Sequence, residues 1–310
     1  MKGTDMDVHF YSEGTSIAGT LAEVPHPVAA ALLITGSGRI NRDSDARLGR
    51  RGPMVLRTGV TRQVAEALGA ANVVTLRYDK RGIGASGGDY LRAGLAENLA
   101  DARAGLRWLA ARFPGLPLLA VGHSEGTWHA ARLAADGEPV AGTVLLSAPA
   151  RTGEEIVNWQ IAVLAPTLPR PVKLILRLTR QDFARSQHKR VAVLKASKSD
   201  VIRVGGVRAN AKWWREFLGH DPVPDYARIA SPVLAVTGGH DMQVSPEDVA
   251  AIGRLVKGPF DGHVLGDLSH LLRPDPDRKG PVGYRRALRQ PVSPAALALV
   301  TSWAAGILAA

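Results

Sequence analysis

The stretch Gly122-His123-Ser124-Glu125-Gly126 constrains this chain more than any other. An apolar run, Leu116-Pro117-Leu118-Leu119-Ala120-Val121, precedes it, and a helical pattern from Thr127 to Asp136 follows. A serine at a sharp strand-to-helix turn sits in strained backbone. Its neighbours two residues away must then lack bulky side chains. Gly122 and Gly126 meet that need. Such a turn lifts the hydroxyl above the sheet. It also points the N–H of Glu125, at the helix start, to where an oxyanion forms. Read so, the stretch is a nucleophile elbow with Ser124 as its nucleophile. The pentapeptide also fits a Gly-flanked turn carrying a surface serine, and the rest of the chain decides between the two.

The surrounding pattern is that of a parallel sheet. Val8 to Tyr11 and Ile17 to Val24, joined by Ser12-Glu13-Gly14-Thr15, read as a hairpin on the sheet edge. Val28 to Ile34 is a continuous apolar run, expected to be a strand buried on both faces. Val60 to Leu68 has helical spacing, Val73 to Tyr78 is a strand, and Leu91 to Phe113 is helical in period. The elbow strand follows, and then Val140 to Ser147. Later come the strand Pro232 to Thr237, a helix Glu247 to Val256 opened by Ser245-Pro246, the strand Phe260 to Leu265, and a final helix Ala295 to Leu308 opened by Ser293-Pro294. Strands alternating with helices imply a mostly parallel eight-stranded sheet with helices on both faces.

Residues 150–228 break the rhythm. Helical stretches fall at Glu154 to Leu164, Lys173 to Leu178 and Phe183 to Leu194, with no buried strand. The expectation is a helical cap, 150–228, inserted into a core made of 1–149 and 229–310. A cap of this kind excludes water and shapes a pocket. Its aromatic residues, Trp159, Trp213, Trp214 and Phe217, read as core rather than as pocket lining. The alternative is a helical domain with no contact to the site.

Charge and composition narrow the function classes. The chain has 310 residues, 45% apolar and 22% charged, and no cysteine. That suits a water-soluble fold without disulfide or thiol chemistry. No apolar stretch is long enough to span a membrane, and the first residues lack the apolar core of a secretory signal, so the expected location is cytoplasmic. The net charge is +11. Between Arg151 and Ala230, 15 Lys and Arg stand against 7 Asp and Glu, a surplus of 15 − 7 = +8. The surplus reads first as a solvated helical surface, and otherwise as attraction to an anionic substrate, an acyl carrier or a membrane surface. No aromatic-interleaved basic motif accompanies it, which excludes nucleic acid as the expected partner.

A serine hydroxyl needs an imidazole to take its proton and a carboxylate to orient the imidazole. On a parallel sheet all three must come from loops at the strands' carboxyl ends. Ser124 follows one strand. Asp241 follows a later one, across Gly238-Gly239-His240, and His270 follows the last, in Gly266-Asp267-Leu268-Ser269-His270-Leu271-Leu272. The order Ser, Asp, His fits this architecture. Asp267 and the other histidines read as loop, surface or structural residues, with the His123 side chain directed away from the nucleophile. Thr35-Gly36-Ser37-Gly38 ends the third strand, and the Ser37 N–H is the candidate second oxyanion donor. A dinucleotide reading of that turn fails because Asn41 stands where a third glycine is required. Asp79-Lys80-Arg81-Gly82-Ile83-Gly84 is Gly-rich without the order of a phosphate loop. Arg39 to Arg57 reads as a polar, Arg-rich loop overhanging the site.

These stretches resemble those of the α/β-hydrolases, in the serine-aminopeptidase-like branch that includes small bacterial esterases. The carrying residues are Leu33 to Gly38, Arg77 to Ser86, Gly122 to Gly126, Gly239 to Val244 and Leu268 to Leu272. Thr35-Gly36 stands where many relatives have His-Gly. The resemblance implies an α/β-hydrolase fold, Ser124, Asp241 and His270 as a triad, and Ser37 and Glu125 as oxyanion donors. It implies no metal and no organic cofactor. The expected function is cleavage of carboxylic esters of small or medium acyl chains through an acyl-enzyme on Ser124. Thioester hydrolysis, acyl transfer and aminopeptidase or amidase chemistry use the same triad and are the alternatives, followed by a non-catalytic binding protein. The expected partner is a small-molecule ester or thioester, with no stable membrane insertion. Dehalogenases and epoxide hydrolases of this fold use an Asp nucleophile, against which Ser124 argues.

Overall fold

The computed structural model describes residues 4–47 and 55–309. The strands are β1 (Thr4–Ser12), β2 (Thr15–Glu23), β3 (Ala29–Ile34), β4 (Ala46–Arg47), β5 (Val55–Leu56), β6 (Val73–Tyr78), β7 (Leu118–His123), β8 (Val140–Leu146), β9 (Val201–Val204), β10 (Val207–Asn210), β11 (Val233–Gly238) and β12 (Phe260–Leu265). The helices are α1 (Val60–Ala70), α2 (Leu95–Arg112), α3 (Glu125–Ala135), α4 (Gly153–Leu164), α5 (Arg170–Leu178), α6 (Phe183–Ala196), α7 (Ala211–Gly219), α8 (Val223–Tyr226), α9 (Asp248–Leu255), α10 (Tyr284–Ala287) and α11 (Pro294–Ala309).

Eight strands form one sheet in the order β1-β2-β6-β3-β7-β8-β11-β12. β1–β2 and β2–β6 are antiparallel, and every other pair is parallel. The residues of β3 show why it lies in the middle. Ala30, Leu32 and Ile34 join one apolar cluster, while Ala29, Ala31 and Leu33 join the other. Side chains alternate across a strand, so a strand apolar at every position must be covered on both faces. Helices α2, α3 and α9 cover one face, and α1 and α11 the other. The fold class is the expected one.

Three local readings differ. Helix α2 starts at Leu95, four residues after the expected Leu91, because the chain still turns through Asp89 to Ala93 (Arg92 N–H to the Asp89 carbonyl, 3.0 Å). Residues 150–228 carry α4 to α8 and also a hairpin, β9–β10, in antiparallel register. Its strands are short and half exposed, so they lack the buried apolar run by which a strand is read. Within Arg39 to Arg57, the short strands β4 and β5 pair with each other, and residues 48–54 of that expected loop lie outside the described residues.

Candidate active site

Ser124 stands between β7 and α3 with φ 56° and ψ −124°, a left-handed backbone that a side chain rarely adopts. The two glycines make the turn possible. A Cβ on Gly122 would meet the Gly126 carbonyl oxygen at 2.3 Å, and one on Gly126 would meet the Ile34 carbonyl oxygen at 2.2 Å. The strained residue is held by the Ser124 N–H donating to the Leu146 carbonyl (2.9 Å) and by Thr127, whose N–H and Oγ1 donate to the Ser124 carbonyl at 2.9 and 2.6 Å.

Asp241 and His270 come from the loops after β11 and β12. The two loops pack so closely that a Cβ on Gly238 or Gly239 would lie 2.0 Å from the carbonyl oxygen of Leu268 or Gly266. Asp241 is fully buried. Its Oδ2 is 2.8 Å from His270 Nδ1, and its Oδ1 accepts the N–H groups of Gln243 (2.7 Å) and Val244 (3.0 Å). With both carboxylate oxygens engaged, Asp241 holds the imidazole with its Nδ1 edge turned to the carboxylate. Ser147 Oγ donates to the His270 carbonyl at 3.3 Å, and His123 Nε2 lies 2.9 Å from the same oxygen. The His123 and His270 rings are 5.0 Å apart, so the residue next to Ser124 rests against His270. Burial pushes the His123 pKa down to about 4, with His270 adding to the shift, and His123 is neutral near pH 7. Arg273 pins the loop by donating to the carbonyls of Gln290 (2.8 Å), Leu271 (3.2 Å) and Thr58.

The loop after β3 lies against the elbow. A Cβ on Gly36 would be 3.0 Å from the Ser124 Cβ. Ser37, Ser124 and Glu125 line one pocket of about 90 Å³ with Trp128, Pro149, Ile156, Val157, Gln160, Trp214, Phe217, Gln243 and Val244. Helices α4 and α7 supply five of these residues. Gln160 Nε2 donates to the Gln243 carbonyl at 2.7 Å, tying α4 to the Asp241 loop. Trp214 and Phe217 therefore line the pocket and are not only core, a role that no spacing in the sequence marks. Larger hollows of about 400 and 570 Å³ lie at the amino end of β7 and along α6, and neither is lined by a serine or threonine. Among the described residues, no three His, Asp or Glu gather as a metal-ligand set.

The Glu125 carboxylate is the feature the sequence does not expose. It is buried behind the elbow. Trp213 Nε1, on α7, donates to Oε2 at 2.8 Å and Asn98 Nδ2 to Oε1 at 3.3 Å. Lys80 Nζ is 3.9 Å from Oε1, and His129 Nε2 is 3.5 Å away without hydrogen-bond alignment. Burial alone would raise the Glu125 pKa, but Lys80, His129 and Trp213 outweigh it and hold it below the usual carboxylate range. Burial also lowers the Lys80 pKa, against the pull of Glu125. Lys80 then donates to the Gly36 carbonyl at 2.6 Å. That carbonyl and the Ser37 N–H belong to one planar trans peptide, so fixing the oxygen aims the N–H to the opposite side.

Comparison with known proteins agrees with this architecture. The family model described as serine aminopeptidase, S33, matches residues 54–272. Esterase EstD of Thermotoga maritima is 23% identical over 274 residues, covering 86% of this chain. The chain spans 60% of the length of that relative. Among solved structures, Est1E of Butyrivibrio proteoclasticus with ferulic acid bound aligns with 98% of this chain and 100% of its own at 17% identity, TM-score 0.65. The Pyrococcus furiosus esterase Pf2001 aligns with 87% of this chain and 84% of its own at 16% identity, TM-score 0.57.

Proposed function

The chain belongs to the serine aminopeptidase S33 family, and from that premise we propose that it is a serine hydrolase of carboxylic esters with small or medium acyl groups. Two observations support the reading: the buried 2.8 Å bond between Asp241 and His270, and the strained backbone of Ser124, whose neighbour His123 packs against the His270 ring. Ser124 Oγ attacks the acyl carbonyl while His270 Nε2 takes its proton. Asp241 keeps the imidazole in its tautomer and stabilises the imidazolium. The N–H groups of Ser37 and Glu125 hold the oxyanion. His270 returns the proton to the leaving alcohol, leaving an acyl-enzyme on Ser124. A water deprotonated by His270 then releases the acid. Residues 150–228 act as the cap that closes the pocket.

Two observations favour esters. Proteins named as esterases recur among the relatives. An aminopeptidase needs a carboxylate for the substrate ammonium, and among the described residues the only acidic one lining the pocket, Glu125, turns its carboxylate to Lys80, Asn98 and Trp213. A pocket of about 90 Å³ suits short acyl groups. It is well below the roughly 300 Å³ at which sites for drug-sized ligands begin.

The test is turnover of p-nitrophenyl acetate and butyrate by wild type and Ser124→Ala, with fluorophosphonate labelling alongside. Loss of about 10⁴-fold or more in kcat and loss of labelling are expected. Retained turnover in the variant would sink the proposal, and an unreactive wild type would point to a binding protein. A matched panel of ester, thioester and aminoacyl-amide substrates separates hydrolysis of esters from the other uses of the triad.

A further inference from the structure

Helix α5, Arg-Pro-Val-Lys-Leu-Ile-Leu-Arg-Leu, has no buried residue. Leu174 is 56% exposed, Ile175 59% and Leu178 73%, values at odds with a run so apolar. The pattern is two-sided. At 100° per residue, Val172, Leu174, Ile175 and Leu178 share one side, and Arg170, Lys173 and Arg177 the other. The surroundings carry the same sign. Residues 165–194 contain seven Lys and Arg and one Asp, 7 − 1 = +6. Among the described residues, none of those seven cations lies in an ion pair with a carboxylate. The single acid, Asp182, caps α6 by accepting the Arg185 N–H at 2.7 Å. Along α6 an open hollow of about 570 Å³ is lined by Arg185, His188 and Lys189.

We propose that α5 is an interfacial helix by which this protein docks on an anionic lipid surface. An amphipathic helix lying in the surface plane sinks its aliphatic side among the acyl chains, while Lys and Arg extend to the headgroups. The uncompensated cations fit a partner that is apolar beneath and negative at its rim, which is what an anionic bilayer presents. A second copy of this chain fits poorly, because it would bring another basic helix to face the first. No helix of the described residues is long and apolar enough to cross a membrane, so the contact is peripheral. The proposal stands apart from the hydrolase reading, since docking needs neither Ser124 nor turnover.

The experiment is flotation of the full chain with vesicles of phosphatidylcholine alone and of phosphatidylcholine with phosphatidylglycerol. Wild type is expected to float with the anionic vesicles only, and to be released by salt. Each leucine withdrawn from water is worth about tenfold or more in partition, so Leu174→Asp/Leu178→Asp should abolish flotation. Each basic residue near an anionic surface is worth about fivefold, so Lys173→Glu/Arg177→Glu should weaken flotation by more than tenfold. Both variants should melt as wild type does and keep its turnover of a soluble ester, which shows that they fold. Absence of flotation, or equal flotation with neutral vesicles, overturns the proposal. So does light scattering that shows a dimer broken by the same substitutions without lipid, an outcome that assigns the face to a second copy. A chain that floats but turns over no ester would leave docking intact and refute only the hydrolase reading.

Discussion

Replacing Lys80 by Met tests how the oxyanion loop is aimed. Lys80 is buried, donates to the Gly36 carbonyl at 2.6 Å and lies 3.9 Å from the Glu125 carboxylate. Met keeps the volume and removes the charge and the donors. Two separable losses follow. Freed of that cation, the buried Glu125 carboxylate keeps the Trp213 and Asn98 hydrogen bonds and the nearby His129 ring. Breaking a buried pair from one side costs about 3 kcal/mol, which lowers the melting temperature by roughly 5 °C in a chain this size. The Gly36–Ser37 peptide then loses the hydrogen bond at its carbonyl, and in the proposed reading the Ser37 N–H turns away from the oxyanion. Losing one such donor costs about 10²-fold in kcat, with KM little changed because the bond forms chiefly in the transition state. A second variant, Lys80→Met/Glu125→Gln, removes the orphaned charge. It should recover most of the melting temperature and none of the kcat. The assays are p-nitrophenyl butyrate kinetics and thermal unfolding by circular dichroism. An unchanged kcat in Lys80→Met refutes the aiming argument. So does a double variant whose kcat returns with its stability, since Lys80 would then act only by holding the fold together.

Asp241→Asn should lower kcat by about 10⁴-fold with the fold intact, because the amide can satisfy Gln243 and Val244 or the correct His270 tautomer, but not both; a kcat within tenfold of wild type by the same ester assay would count against the Asp241 role. Stability should fall as pH drops from about 6.5 to about 4, because burial holds both His123 and His220 at a pKa of about 4. In that window the unfolded chain binds protons that the native chain does not, so each histidine costs about 2 kcal/mol at pH 5. Urea unfolding at pH 7 and pH 5 measures this, and His123→Gln should remove about half of the difference.

The sheet is legible in the sequence because its central strands are apolar at every position and its turns carry glycine. β3, β6, β7, β8 and β11 sit where those runs do, and the order Ser124, Asp241, His270 follows once each loop is placed at a strand end. The pocket is not legible. Trp214 and Phe217 read as core because an aromatic side chain on a helix looks the same in sequence whether it meets another helix or an opening. Hairpin β9–β10 escapes because half-exposed strands of four residues show no continuous apolar run. The role of Glu125 escapes for a different reason. Its backbone is placed by local spacing, but its carboxylate is placed by residues 45 positions upstream and 88 downstream, at Lys80 and Trp213.

Residue 125 presents two groups at one helix start, its backbone N–H and its buried carboxylate. In the proposed reading its N–H is one oxyanion donor. Its carboxylate, through Lys80 and the Gly36 carbonyl, sets the direction of the other, the Ser37 N–H. The same carboxylate accepts Trp213 from α7, the helix whose Trp214 and Phe217 line the pocket. Burying a carboxylate and an ammonium together is rarely favourable in itself, and an apolar pair of equal volume would often be as stable. An apolar pair could not fix the rotation of a peptide plane, however, because dispersion contacts are non-directional while hydrogen bonds are not. The buried charges are therefore explained by geometry rather than by stability. In the proposed reading they hold two backbone donors and one wall of the pocket in a single register, so that a shift of α7 reaches the loop after β3 through Trp213, Glu125 and Lys80.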